Sequence, residues 1–187
     1  MFVFGAALSL CSAVQSSAGV IAFSGVLQNP DPTYTRALAF TNGAQSDVYL
    51  GPSVVGSAVH YDVWSFTVDL ADTYTFTATT NIGPSSNGAI QGVHLAIYLG
   101  AFNPANAALN YLSSAFTNGG IAYSLSPSAQ YYLVVGTTTN GDTGTYSGTI
   151  SAPNGTATVP EPSTIALIAM ALLSLFGFGM MRRRADA

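Results

Sequence analysis

The sequence predicts an all-β fold: a single antiparallel β-sandwich, with a signal-peptide helix before it and a transmembrane helix after it. Three observations carry this. Trp64-Ser65-Phe66-Thr67-Val68 and Tyr74-Thr75-Phe76-Thr77-Ala78 alternate large apolar residues with Ser or Thr, the period-two signature of half-buried strands. Turn-forming clusters recur throughout the body, and no segment between the two terminal apolar stretches reads as a soluble helix. The chain from Ile165 to Met181 is free of charge and is followed at once by Arg182-Arg183-Arg184, the pattern of a membrane span with a cytoplasmic basic end.

Residues 1–18, MFVFGAALSLCSAVQSSA, have the apolar centre of a secretory signal peptide. Ser16 and Ala18 stand at the −3 and −1 positions, so cleavage between Ala18 and Gly19 makes Gly19 the mature start. No Lys or Arg precedes the apolar run, which leaves open whether Met1 is the true start. Leu10 precedes Cys11 where a lipoprotein signal wants a small residue, so ordinary cleavage is favoured. Cys11 is then lost, and the mature body has no thiol for disulfides or thiolate metal sites.

The body, residues 19–150, is long enough for one domain with a real core. Its strands are expected at Gly19 to Gln28, Tyr34 to Thr41, Trp64 to Val68, Tyr74 to Ala78, Val93 to Leu99, Ala108 to Ser113, Ile121 to Leu125, Tyr131 to Thr137 and Thr145 to Ser151. The short connection from Asp69 to Asp72 suggests that the strands on either side of it pair with each other. Asn29-Pro30-Asp31-Pro32, Asn42-Gly43, Asn118-Gly119-Gly120 and Asn140-Gly141 are turn signals. Trp64, Phe66, Tyr74, Phe76, Leu95, Ile97, Leu133 and Val135 form the expected core. Residues 151–158, SAPNGTAT, are small, polar and unpatterned, and read as a flexible linker.

Only twelve of the 187 residues are charged and there is no lysine. Before Pro160 the body sets Asp31, Asp47, Asp62, Asp69, Asp72 and Asp142 against Arg36 alone, a formal charge of −5. Nucleic acid, which needs a basic footprint, is excluded as a partner.

No catalytic residue set emerges. His60 and His94 lack a Gly-x-Ser-x-Gly elbow to serve, and His94 alternates to the polar side of its strand. Asp62, Asp69 and Asp72 are neighbours at strand ends, a turn-capping pattern rather than two carboxylates facing each other across a cleft. Asn140 and Asp142 offer oxygen ligands in a glycine-rich turn, but one acid makes a poor calcium site. No metal or cofactor is expected. Thr73, Thr75, Thr77 and Thr79 form an outward row. Threonine is a good exposed strand residue, and a match to an ice lattice, which needs a flat face, is a distant alternative in a twisted sheet. The many tyrosines suit packing; stacking on sugar rings is the alternative.

The residues 159–187 close the chain in three parts: Val159-Pro160-Glu161-Pro162-Ser163, an apolar helix over 163–181, and a tail over 182–187 that begins Arg182-Arg183-Arg184. The seventeen residues Ile165 to Met181, interrupted only by Ser174, Gly177 and Gly179, reach roughly 26 Å as a helix at about 1.5 Å each, just under the hydrocarbon thickness of about 30 Å. Pro160 and Pro162 keep Glu161 on an extended segment. This order resembles the bacterial PEP-CTERM sorting signal. The resemblance implies transient anchoring in the inner membrane of a Gram-negative bacterium and processing by an exosortase, a membrane-embedded cysteine transpeptidase-like enzyme.

A second resemblance concerns the body. Asp62-Val63-Trp64-Ser65-Phe66-Thr67-Val68, Thr73-Tyr74-Thr75-Phe76-Thr77, Leu95-Ala96-Ile97-Tyr98-Leu99, Tyr131-Tyr132-Leu133-Val134-Val135 and Gly144-Thr145-Tyr146-Ser147-Gly148-Thr149-Ile150 resemble the bacterial pre-peptidase C-terminal domain. That implies a jelly-roll-like sandwich. The calcium-associated acid pair that often follows Ile97 to Asn106 in such domains is missing: Ser113, Ser114 and Ala115 stand there. The combined expectation is an exported, non-enzymatic surface or matrix protein associated with exopolysaccharide. A carbohydrate- or matrix-binding module is the alternative.

Overall fold

In the computed structural model the described residues are 19–38, 44–82, 92–116 and 120–159. They form ten strands: β1 (Val20–Leu27), β2 (Thr33–Tyr34), β3 (Val59–Val68), β4 (Asp72–Ile82), β5 (Val93–Leu99), β6 (Tyr111–Phe116), β7 (Ile121–Leu125), β8 (Tyr131–Thr137), β9 (Gly144–Ser151) and β10 (Ala157–Thr158). One sheet has the order β1-β9-β4-β7; the other runs β10-β3-β8-β5-β6, with β2 also on β3. Every strand pairing is antiparallel. The all-β antiparallel expectation holds for these residues. The two expected terminal helices fall outside the described residues.

Period-two patterning explains how the sheets meet. Phe23, Phe76, Tyr146 and Ile150 from one sheet and Phe66, Leu95, Ile97, Leu133 and Val135 from the other are buried in one cluster. The Phe66 and Phe76 rings face each other at 5.6 Å. Of the eight expected core residues, seven are buried, whereas Trp64 is half-buried against the cluster.

The expected pairing of the Trp64 and Tyr74 strands is corrected. β3 bonds to β8, and β4 bonds to β7 and β9. Residues 69–71 form a corner that carries the chain from one sheet to the other. A short connection between two alternating strands fits either a hairpin or such a corner. The corner wins because it lets the apolar faces of β3 and β4 cover each other.

Several strand boundaries also move: β3 begins at Val59 rather than Trp64, and β4 runs from Asp72 to Ile82 rather than from Tyr74 to Ala78. Of the strand expected from Tyr34 to Thr41, residues 39–41 fall outside the described residues, and the described part holds only β2, Thr33–Tyr34, followed by a bridge between Ala37 and Pro52. The strand expected from Ala108 begins at Tyr111, because Asn110 sits in the left-handed region at φ 61° and ends the preceding turn. Gln45 occupies the free edge of β7: its amide donates to the Ala122 carbonyl at 3.0 Å and accepts from Ala122 N–H at 2.8 Å. A side chain thus takes the bonds another strand would make.

Beyond the sandwich core, a second apolar layer covers the outer face of the β3-β8-β5-β6 sheet. Tyr34, Val59, Ala96, Tyr98, Ala107 and Val134 are its buried members. Phe102 packs its ring 4.8 Å from Tyr98 and 5.3 Å from both Tyr34 and Tyr61. Edge-on aromatic pairs of this kind contribute about 0.5–1.5 kcal/mol each beyond the area they bury.

Candidate functional site

The segment of greatest interest is where the sandwich meets the sorting segment. Residues 151–158, expected as a flexible linker, are instead docked onto the sandwich. From Ser151 at the end of β9 the chain crosses to the other sheet, burying Ala152, and β10 pairs Ala157 with Val68 and Thr158 with Thr67. Two ladder positions alone make a weak strand, so the polar contacts around them matter.

Asp69 and Asp72, at the β3–β4 corner, provide those contacts. Thr156 N–H donates to Asp69 Oδ1 at 2.6 Å, and the Thr156 hydroxyl donates to Asp69 Oδ2. Asp69 N–H returns a bond to the Thr156 carbonyl at 3.2 Å. Asn154 N–H donates to Asp72 Oδ2 at 3.0 Å. Both carboxyls are held below the usual carboxylate range, Asp69 mainly by the Thr156 side chain and Asp72 mainly by the Asn154 backbone. Between these anchors, a Cβ at Gly155 would overlap Tyr74 Oη. Tyr74 in turn donates to the Leu70 carbonyl at 3.1 Å. Sequence reasoning saw Asp69 and Asp72 as turn aspartates but missed what they hold, since the partners lie more than 80 residues away.

Gly19, the expected mature start, lies against this segment: a Cβ there would overlap Thr156 Cγ2. Val159, the first residue of the expected motif, is half-buried against the main core. Ala18, Pro160, Glu161, Pro162, Ser163 and Arg182, Arg183 and Arg184 fall outside the described residues. So does the expected membrane span. Among the described residues no helix is long and apolar enough to cross a membrane.

The other expected candidates are placed as follows. His94 does not lie on a solvated face: it is fully buried, because the second layer covers the outer side of β5. Its Nδ1 is 3.3 Å from Tyr34 Oη, its ring meets Phe116 edge-on at 5.7 Å, and burial aided by the Arg36 charge lowers its pKa to about 3. His60 Nδ1 is 3.1 Å from the Asp31 backbone carbonyl. Neither pair is a Ser–His–Asp arrangement. Asp62 accepts from Tyr146 Oη at 2.7 Å, and Trp64 Nε1 donates to the same hydroxyl at 2.9 Å. Among the described residues no three His, Cys, Asp or Glu side chains group as a metal site.

The outer face of the β1-β9-β4-β7 sheet is different in character. Thr73, Thr75, Thr77 and Thr79 are exposed along β4, as their alternation predicts. Thr77 pairs its hydroxyl with Thr149 at 2.9 Å, and Thr79 with Ser147 at 3.0 Å. A shallow groove of about 450 Å³ lies here, lined by Ser24, Thr77, Thr79, Ser147 and Thr149 among others. None of its lining residues is charged.

An antiparallel β-sandwich whose last strand leads into a Pro-Glu-Pro segment, an apolar run and an arginine cluster is a folded cargo joined to a C-terminal address. Residues 158–184 match the PEP-CTERM protein-sorting motif. The match begins at Thr158, inside β10, so the address and the folded cargo share residues. The motif implies export and membrane-anchored sorting by an exosortase. No curated protein matches the chain.

Proposed function

We propose that this chain is a non-enzymatic exported protein whose sandwich is carried across the inner membrane of a Gram-negative bacterium. It is held there by its C-terminal helix, processed by an exosortase at the Pro160-Glu161-Pro162 motif, and passed to the cell surface or an exopolysaccharide-containing matrix. The single observation that carries this is the sorting match over residues 158–184. Its address residues are those expected from the sequence, Val159 to Ser163 and Arg182 to Arg184, with signal cleavage between Ala18 and Gly19. The two-sheet antiparallel architecture supports reading the body as a pre-peptidase C-terminal-like, jelly-roll-like sandwich. Mass spectrometry of the mature C-terminus tests the sorting step. The surface fraction is expected to lack Arg182-Arg183-Arg184; an intact arginine cluster there sinks the reading.

A second reading, a carbohydrate- or matrix-binding module, draws on the uncharged hydroxyl face of β4 and β9. Neutral glycans are recognised by hydroxyl hydrogen bonds and flat apolar contact, and this face offers the first in a regular array. Stacking on tyrosine is less favoured, because Tyr34, Tyr74, Tyr98, Tyr131 and Tyr146 are buried. Binding of residues 19–159 to a glycan array decides it: retention of a neutral glycan that is lost in Thr77→Glu supports the module, and no retention by the folded domain ends it.

A further inference from the structure

We propose that the docked segment 152–158 is a clip that controls when the sorting motif becomes a substrate. The processing enzyme acts on the clip-open state, and Asp69 and Asp72 act as positioning residues that hold the clip shut. The inference rests on the sorting reading above and deepens it.

The geometry of the chain forces the issue. Thr158 is paired with Thr67 in the β10–β3 ladder, and Val159 packs on the core. Pro160 is the next residue. Three residues of fully extended chain span about 10 Å. A cleft that holds Glu161 and more than that length before it therefore meets residues still paired to β3. Enzymes that cut or transfer peptide bonds bind their segment extended, with its backbone free to bond to the cleft, so the ladder bonds at Ala157 and Thr158 must first break.

The clip is suited to opening alone. It contributes two small ladder residues and two buried alanines, Ala152 and Ala157, while its main polar anchors are solvent-accessible aspartates. Such a segment opens locally at far lower cost than the whole sandwich. When opening and closing are fast relative to cleavage, the rate follows the population of the open form. The aspartates, 91 and 88 residues before Pro160 in sequence, set that population. Gly155 adds a steric condition, since a side chain there collides with Tyr74 Oη.

The test uses the full chain in cells that carry an exosortase, following loss of the tail by pulse-chase and C-terminal mass. Asp69→Asn and Gly155→Ala loosen the clip. Thr67→Cys combined with Thr158→Cys, at register partners on β3 and β10, staples it shut in an oxidising compartment. Expected are several-fold faster tail loss in the two loosened variants, a block in the oxidised staple, and recovery of the normal rate on reduction. The last effect has no counterpart in a merely structural role. Trypsin resistance of the body confirms that each variant is folded.

Tail loss at the normal rate from the oxidised staple overturns the proposal. So do unchanged rates in Asp69→Asn and Gly155→Ala when amide exchange shows β10 released. If the unaltered chain keeps its tail, the sorting reading itself falls. If the unaltered and stapled chains are processed alike, only the clip falls.

Discussion

Gly25 leaves the space in which a polar group is built into the end of the sandwich. A Cβ there would stand 2.5 Å from Tyr146 Oη and 2.7 Å from Asp62 Oδ2. Tyr146 both donates to Asp62 and accepts from Trp64, so its hydroxyl serves two buried or half-buried partners. Tyr146→Phe removes both bonds while keeping the ring, and is expected to cost about 1–3 kcal/mol, the penalty for leaving such groups unsatisfied. Denaturant unfolding followed by Trp64 fluorescence measures it. His94 gives a pH dependence of definite sign. Its folded pKa lies near 3, below the 6.5 of an unperturbed imidazole, so the unfolded chain takes up a proton that the folded chain refuses. Stability is therefore full above about pH 6.5, falls as the pH drops below that value, and flattens near pH 3. His94→Gln should remove one proton's share of that slope in denaturant titrations between pH 4 and 7, values chosen as roughly the window those two pKa values define.

At the scale of elements, β10 behaves as part of the domain rather than as a tether. A chain ending at Ser151 loses the burial of Ala152 and Ala157 and every bond to Asp69 and Asp72. Its melting temperature is expected to fall by several degrees relative to residues 19–159, as calorimetry would show; an equal melting temperature would mean that the segment adds nothing to the fold. The clip also has its own acid response, opposite in cause to that of His94 but of the same sign. Asp69 and Asp72 have folded pKa values held below their unfolded values, so what they contribute is complete above the unfolded value of about 4 and is lost as pH falls through the folded values. Amide exchange at Thr156 should therefore accelerate in strong acid beyond its intrinsic rate, before exchange does so in β8. The threonine row on β4 is less consequential for stability. Thr77→Val breaks one exposed hydroxyl pair with Thr149 and is expected to change stability by no more than about 0.5 kcal/mol.

Across the whole molecule, charge is scarce and arranged so that the body presents almost no basic surface. Arg36, the sole Lys or Arg of residues 19–159, is buried. It donates from Nε to the Thr138 carbonyl at 2.8 Å and from a terminal nitrogen to the Ala37 carbonyl at 3.0 Å, and its guanidinium lies 4.9 Å from the Phe116 ring centroid. Trypsin cutting after Arg36 therefore reports opening of the layer over β5. The folded body should resist trypsin under native conditions and be cut there as denaturant approaches the unfolding midpoint.

The alternation of Phe66 with Thr67 and of Phe76 with Thr77 was enough to determine strands, their inward faces and an all-β body. The charge-free run before Arg182 and the Pro160-Glu161-Pro162 motif were enough to determine the address, because local composition alone specifies them. Period two states which side of a strand points inward, but it does not state which strand lies beside it. That is why β3 and β4 looked like a hairpin until their separate sheets were seen. Nor does it state whether an outward face is covered: His94 is interior because Tyr34 and Phe116 pack against it. The SAPNGTAT segment looked like a linker because small polar residues carry no local preference. Only tertiary structure, by bringing Asp69 and Asp72 from the far side of the sequence to the backbone of Asn154 and Thr156, made it the last strand of the domain, so that the fold reaches the address at Thr158.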